Sequence, residues 1–180
     1  MMIYKWEYKT PKEFDNIIIN SDGEFLTGLW FKNSKDSGKH VVDCEEKYLP
    51  IFKDTCRWLD IYFKGKVPNF EPKYKIDNLT PFREAVIEIM NTMPYGKIIT
   101  YNDIAKIIAS ARGLDKMSAQ AVGGAVGWNP ICIIIPCHRV IGSNGSLTGY
   151  GGGIKNKVAL LSHEKIDMKK YTIPTKGTAL

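Results

Sequence analysis

The pattern of hydrophobic and polar residues changes about 80 residues into the chain. β-Branched and aromatic residues dominate 16–20 and 25–31, and the turn residues 21–23 between them predict a β-hairpin. Apolar residues in 48–63 recur close to the helical period, which predicts one amphipathic helix. Residues 64–78 are polar, contain two prolines and are typical of a linker.

Beyond the linker the apolar positions follow a helical spacing. Thr80-Pro81 is a plausible start for a helix whose apolar positions continue to Met93. Thr100 and Asp103 form the pattern of a capping box, and Ser118 can begin a further short helix. Two short helices joined by a glycine-containing loop favour a helix-turn-helix, although two helices packed as ordinary core would show the same spacing.

These patterns together predict an α+β protein. Residues 1–79 are expected to form a small N-terminal strand-and-helix domain with its linker. Residues 80–180 are expected to form a mainly helical C-terminal domain with a helix-turn-helix and a C-terminal tail.

Composition and charge narrow the class of function. Of the 180 residues, 44% are hydrophobic and 24% charged, which excludes a disordered or fibrous chain. The longest apolar run, Ile131–Ile135, is too short for a membrane helix, and the N-terminus lacks the pattern of a signal peptide, so a cytoplasmic protein is expected.

Residues 1–80 hold 13 basic and 13 acidic residues, whereas residues 81–180 hold 12 basic and 6 acidic residues. The net charge of +6 therefore lies in residues 81–180. A domain that binds a polyanion would have this charge, and so would a domain whose surface lysines only keep it soluble.

The segment 119–127 has little side-chain bulk and contains three glycines. Glycine inside a helix costs ~1 kcal/mol relative to alanine, so the adjacent Gly123 and Gly124 need a compensating reason. Close approach of another body to the backbone is the usual one. That body is either a neighbouring helix or a nucleic acid.

Candidate chemistry centres on Cys137. It follows the isoleucine run 131–135, which is expected to be a buried strand or extended segment, and it precedes His138 and Arg139, an electropositive setting that lowers a thiol pKa. Adjacent side chains diverge, so a water between Cys137 and His138 suits proton transfer better than direct contact. Glu164 at the end of the last helix is either a third group that orients the imidazole or a solvated charge. The glycine-rich segment 142–153 is expected to line a pocket.

Four cysteines without a Cys-x-x-Cys pair do not indicate a disulfide framework or a metal site. His40 with Cys44 has the spacing of half a zinc site, but no second pair follows. No metal and no cofactor are expected.

The order of these motifs resembles the O6-alkylguanine-DNA alkyltransferase family. The match covers about residues 80–165, and its Pro-Cys-His-Arg core is highly specific, whereas residues 1–79 carry no motif that aligns. The matching residues are Tyr101, Ala121-Val122-Gly123-Gly124-Ala125, Asn129-Pro130, Pro136-Cys137-His138-Arg139-Val140, Gly149-Tyr150 and Leu160-Leu161-Ser162-His163-Glu164.

The resemblance implies a suicide DNA-repair protein that takes an alkyl group from O6 of guanine in double-stranded DNA, with O4 of thymine left open as a second target. Cys137 would be the acceptor, His138 its base through a water, and Glu164 the group that orients His138. Asn129 and Arg139 would brace the cysteine segment. Tyr101 would donate a hydrogen bond to the guanine ring, and Val140, Tyr150 and the backbone of Gly151 would form the walls of the pocket. A short helix would enter the minor groove of the DNA. Its DNA-contacting residues would be Gln120, Ala121, Gly123, Gly124 and Ala125. The base would be flipped out of the duplex by a monomeric protein.

Two positions depart from the family pattern. Many members have an arginine where this chain has Gln120, and that arginine fills the space of the flipped base. Glutamine is shorter and uncharged, although its amide can still bond an orphaned base edge. Some relatives have a serine at the position of Gly151. The role implied for Gly151 uses its backbone amide as the donor, and glycine and serine both provide that amide.

Two other classes use some of the same features. A DNA-binding regulator or damage sensor would use the helix-turn-helix without chemistry, but the non-catalytic relatives of the family lack the cysteine that is present here. A cysteine hydrolase would use Cys137 and His138 as nucleophile and base, and would turn over a small ester or amide.

Overall fold

The computed structural model describes residues 2–38 and 43–175, and it divides them into two compact units. The first contains residues up to Asp77 together with Pro130–Ile134, and the second contains Asn78–Asn129 and the residues from Ile135 onward. Helices and sheets are both present, so the α+β class is confirmed. Among the described residues, none of the helices combines the length and apolarity that crossing a bilayer requires. His40 lies outside the described residues.

The first unit is a four-stranded sheet covered by one helix. Its strands are β1 (Ile3–Tyr8), β2 (Ile17–Ser21), β3 (Leu26–Phe31) and β4 (Cys44–Glu46), and they lie in the order β3-β2-β1-β4. The predicted hairpin is the antiparallel pair of β2 and β3; β1 is antiparallel to β2, and β4 is parallel to β1. Helix α1 (Pro50–Phe63) contacts β2 and β3. The core between them consists of fully buried apolar side chains, among them Ile17, Ile19, Leu29, Phe31, Phe52 and Leu59.

The predicted linker is in part a component of this unit. Leu26 donates its amide to the carbonyl of Lys73, at 2.9 Å, and accepts from the amide of Lys75, also at 2.9 Å. Tyr74 therefore forms an isolated bridge beside β3. The sequence did not reveal this contact because polar, proline-containing segments form single bridges without a periodic pattern.

The isoleucine run differs from its prediction. Residues 131–135 are buried, but instead of a continuous strand or extended segment they form a bridge from Ile131 to Leu29 that is followed by a turn at residues 133–134. Ile133 has φ of 71°, and the amide of Ile134 donates to the carbonyl of Cys132 at 2.9 Å. A β-branched residue with positive φ is strained and is held only by its surroundings.

The surroundings of this turn are in the first unit. Leu29 donates to the carbonyl of Pro130 at 2.8 Å and accepts from the amide of Cys132 at 2.9 Å. Residues 130–134 therefore belong to the first unit, whereas the sequence placed all of 80–180 in the second domain. Buried Ile131 and Cys132 explain the difference, because their apolar side chains join the core of the first unit.

The described part of the second unit contains four α-helices and a two-stranded parallel sheet. The helices are α2 (Pro81–Asn91), α3 (Tyr101–Ala111), α4 (Ala119–Gly127) and α5 (Ile154–His163); the sheet pairs β5 (Ile99–Thr100) with β6 (Val140–Ile141). The predicted helix starts are confirmed by side-chain caps at Thr80, Thr100 and Ser118. Ile141, Leu147 and Leu161 form a buried cluster against which α5 packs through Ile154 and Val158.

Candidate active site

A single 3-10 turn, Cys137–Arg139, carries three buried side chains of the second unit. The turn begins after Pro136, and the amide of Cys137 donates to the carbonyl of Ile135 at 2.8 Å. The Nδ2 of buried Asn129 donates to the same carbonyl at 3.0 Å. Asn129 thus ties the end of α4 to the residue two positions ahead of Cys137.

Glu164 is the most heavily hydrogen-bonded side chain of the site. Its carboxylate accepts from Nε2 of His138 at 2.7 Å, from Nε and Nη2 of Arg139 at 2.9 Å each, and from the amide of Gly96 at 3.0 Å. Its side chain is fully buried, so the alternative of a solvated charge is wrong. Although burial opposes its ionisation, the hydrogen bonds from His138 and Arg139 and the positive charge of Arg139 hold the pKa of Glu164 well below its usual range.

The protonation of His138 follows from this arrangement. Burial is the largest influence and lowers the pKa of His138 despite the neighbouring carboxylate, so the ring is neutral at pH 7. A neutral ring bonded to a carboxylate through Nε2 carries its proton on Nε2. Nδ1 is then the basic nitrogen, and among the described residues it has no hydrogen-bond partner. A buried base that is oriented by a carboxylate lies next to a cysteine.

Arg139 and the turn at Tyr95-Gly96 hold Glu164 in place. The Nη1 of Arg139 donates to the carbonyl of Met93 at 2.6 Å, and the hydroxyl of Tyr95 donates to the carbonyl of His163 at 2.9 Å. Gly96 has φ of 75°, and an added Cβ would lie 3.1 Å from the carbonyl oxygen of Glu164. The sequence did not reveal the function of this turn, because the hydrogen-bonded partners lie 68 residues apart in the chain.

Tyr101 lies in the same site, at the start of α3. Its hydroxyl donates to the carbonyl of Thr148 at 3.0 Å. Burial, and then the charge of Cys137, raise the pKa of Tyr101, so the phenol remains a hydrogen-bond donor. An added Cβ at Gly149, where φ is 79°, would lie 2.9 Å from this hydroxyl, so the glycine permits the close approach. The remaining predicted pocket residues, Val140 and Tyr150, are buried, and Gly151 is half-buried.

Lys157 is a site residue that sequence reasoning missed. Its side chain is fully buried in α5, and its ammonium donates to the carbonyls of Val140, at 2.7 Å, and Thr148, at 3.2 Å. It also lies 5.7 Å from the centroid of the Tyr150 ring. Burial lowers the pKa of Lys157 to about 8, and the charge of Cys137 opposes that shift. A lysine in a first helical turn is usually solvated, so no local signal marks this one.

The predicted DNA-contacting residues of α4 do not share one environment. Gln120, Ala121 and Gly124 are exposed and Gly123 is half-buried, whereas Ala125 is buried and faces the core. The DNA contact expected of Ala125 stays a prediction, and its side chain is turned away from the exposed face of the helix.

The fold and the site define a class of protein in which a buried cysteine is served by a neutral histidine and a buried Glu-Arg pair. Residues 81–166 match the sequence model described as 6-O-methylguanine DNA methyltransferase, DNA binding domain. The methylated-DNA–protein-cysteine methyltransferase of Haemophilus influenzae is 35% identical over 156 residues, which are 87% of this chain and 84% of that protein.

Similar solved structures indicate the same family. The O6-methylguanine methyltransferase of Mycobacterium tuberculosis is similar with a TM-score of 0.74 at 35% identity, and the match covers 91% of this chain and 93% of that one. A structure of OGT from the same organism in complex with DNA has a TM-score of 0.73 at 31% identity, covering 95% of both chains. The chain belongs to the methylated-DNA–protein-cysteine methyltransferase family.

Proposed function

We propose that this protein repairs DNA by direct reversal, moving an alkyl group from O6 of guanine to the sulfur of Cys137 and keeping it there. The observation that carries the proposal is the pairing of Nε2 of His138 with Glu164, which leaves Nδ1 as a base beside the cysteine. Membership of the methyltransferase family supports the reaction type. Because the product is a stable thioether, each molecule acts once.

The chemical step requires a thiolate. Nδ1 of His138 takes the proton of Cys137 through a water, and Glu164 stabilises the imidazolium that forms. The sulfur then attacks the alkyl carbon, the bond from that carbon to O6 breaks, and the electron pair stays on guanine. The hydroxyl of Tyr101 turns its one proton from the carbonyl of Thr148 to the departing guanine ring, and the proton held by His138 is returned to guanine. Val140, Tyr150 and the backbone of Gly151 form the pocket walls.

Duplex DNA bound by a helix-turn-helix of α3 and α4 accounts for the glycines of α4. A Cβ at Gly124 would meet no described atom within 4 Å, and one at Gly123 would lie 3.9 Å from the Tyr101 ring, an ordinary contact. Packing among the described residues therefore does not require either glycine. An external body close to the backbone supplies the missing reason, and the structure of OGT with DNA supports a nucleic acid.

Further aspects of the proposal rest on the family resemblance. Gln120, exposed near the start of α4, fills the gap left by a flipped O6-alkylguanine. The protein acts as a monomer in the cytoplasm, with an N-terminal domain in residues 1–79 and an alkyltransferase domain in residues 80–180 apart from Pro130–Ile134.

Mass spectrometry of the whole protein tests the reaction. After incubation with a duplex containing one O6-methylguanine, we expect one added methyl group, ~14 Da as one CH2 equivalent, on Cys137. Cys137→Ser should show no adduct. Cys56→Ser is the matched control and should react normally, because burial raises the pKa of the Cys56 thiol to about 11 and keeps it protonated. Repeated turnover, or an adduct on another cysteine, would contradict the proposal.

A further inference from the structure

Arg83, in the first turn of α2, is held in place by an aromatic ring rather than by a charged partner. Its Cζ lies 4.0 Å from the centroid of the Trp128 ring, so the guanidinium is stacked on that ring. In the part of the chain that the structure describes, the guanidinium makes no hydrogen bond and no ion pair. The dipole of α2 disfavours a cation in its first turn, so helix stability does not explain an arginine at this position.

Trp128 connects this guanidinium to the face of α4 that the proposed function places against DNA. Trp128 is the C-cap of α4 and keeps helical backbone angles. Residues four apart lie on the same side of a helix, so Gln120, Gly124 and Trp128 form one row. Gln120 and Gly124 are exposed, and Trp128 is half-buried. The stacked guanidinium therefore lies at the C-terminal end of the exposed row of α4.

Helix α4 has no charge of its own. None of the nine residues from Ala119 to Gly127 is acidic or basic. Binding to duplex DNA depends on cations that neutralise its phosphates, so an uncharged helix in a groove needs cations from neighbouring elements. Arg83 places one beside the end of the row. Stacking fixes the plane of the guanidinium and leaves its N–H donors available, which suits a phosphate oxygen.

We propose that Arg83, held on the ring of Trp128, binds a phosphate of the DNA backbone beside the C-terminal end of α4. The inference rests on the proposed function, because it requires that α4 faces duplex DNA, and it adds α2 to the elements that contact the DNA. A phosphate contact reads no base and does not touch the alkyl group. It fixes the position of the protein along the duplex.

Fluorescence-anisotropy titration of an undamaged duplex at several salt concentrations tests the contact in the full chain. Each neutralised phosphate contributes about −0.9 to the slope of log K against log salt concentration. We expect Arg83→Gln to remove about that amount from the slope. Binding at ~0.1 M salt should weaken roughly eightfold, because one such contact gains that factor between ~1 M and ~0.1 M salt. An unchanged slope would overturn the proposal.

Arg57→Gln is the matched control, since it removes the same charge from another arginine that is stacked on a ring. The Cζ of Arg57 lies 5.0 Å from the centroid of the Phe70 ring, and both residues belong to the first unit. We expect this variant to keep the affinity and the salt slope of the wild type. The same loss of slope in Arg57→Gln and Arg83→Gln would show that only net charge matters and would overturn the proposal.

Trp128→Leu tests the role of the ring. The charge of Arg83 remains, so the salt slope should stay that of the wild type. Binding should weaken by about two- to fivefold, the strength of an exposed cation–π contact. An unchanged affinity would show that the ring does not orient the guanidinium and would overturn that part of the proposal.

Reaction with free O6-benzylguanine separates a phosphate contact from a structural role. Trp128 precedes Asn129, whose Nδ2 donates to the carbonyl of Ile135 at 3.0 Å, so the alternative is that the stacking holds the turn at Cys137. We expect Arg83→Gln to react with the free base at the wild-type rate, because that substrate has no phosphate. Equal slowing on the free base and on a damaged duplex would overturn the proposal. Wild-type protein that binds no duplex would contradict the proposed function as well, whereas normal wild-type binding with an unchanged slope in Arg83→Gln would contradict this inference alone.

Discussion

Replacing Glu164 by glutamine is expected to cost ~3–5 kcal/mol of unfolding free energy at pH 7. The carboxylate accepts four hydrogen bonds at 2.7–3.0 Å from His138, Arg139 and Gly96, and its side chain is fully buried. Glutamine keeps the size but removes the charge, so Arg139 is left as an uncompensated and nearly buried cation. The new NH2 group must also face a former donor, which alone costs ~1–3 kcal/mol. Breaking a buried ion pair typically costs the full ~3–5 kcal/mol.

Urea unfolding followed by tryptophan fluorescence measures this loss. Glu88→Gln, an exposed glutamate of α2 in the same unit, is the matched control and should change stability by less than about 0.5 kcal/mol. Because the pKa of Glu164 is lowered in the folded protein, its contribution is present above the unfolded value of 4.5 and is lost as the pH falls. The gap between wild type and Glu164→Gln should therefore narrow by about 1 kcal/mol at pH 3.5. A loss below about 1 kcal/mol at pH 7 would refute the reasoning.

Three further substitutions have distinct expected outcomes. Gly124→Ala should raise the free energy of unfolding by up to ~1 kcal/mol while weakening duplex binding in a fluorescence-anisotropy titration; weaker folding with unchanged binding would contradict the DNA-facing role. Gln120→Ala should slow repair of O6-methylguanine in a duplex but hardly alter reaction with free O6-benzylguanine, which needs no flipping; equal slowing on both substrates would exclude a base-replacing role. Tyr101→Phe should slow methyl transfer from a duplex, because the activation free energy should rise by the ~1.5–3 kcal/mol expected of a lost hydrogen bond to a charged group. The circular dichroism spectrum should stay near normal. An unaltered single-turnover rate would show that the hydroxyl does not assist the leaving group.

The sequence was most informative where the cause of a structure is local. Thr80, Thr100 and Ser118 each accept a hydrogen bond from an amide three residues later, so the cap and the amide it serves can be read together. The same applies to the β2–β3 hairpin, because its connecting residues 22–25 lie directly between the two strands. These features need no knowledge of the rest of the chain.

Features that depend on distant partners were not predictable in the same way. The burial of Glu164 depends on Gly96, 68 residues away, and nothing near Lys157 indicates that its ammonium reaches the carbonyl of Val140. The turn at Ile133 also contradicts the local preference of isoleucine for extended backbone. The family resemblance supplied residue roles for the site, but the charges that surround those residues required the fold.

The segment Pro130–Ile134 has a consequence for the order in which the chain can fold during synthesis. Its hydrogen bonds to Leu29 close a loop of about 100 residues, so the first unit cannot be completed when its own strands leave the ribosome. The first unit can be completed only after residues 130–134, just ahead of Cys137, have been synthesised. The N-terminal unit therefore cannot finish folding before the rest of the chain is made. The edge of β3 at Leu29 stays unpaired, and can pair wrongly, for most of translation. We expect translation stalled before residue 130 to yield a protease-sensitive N-terminal unit.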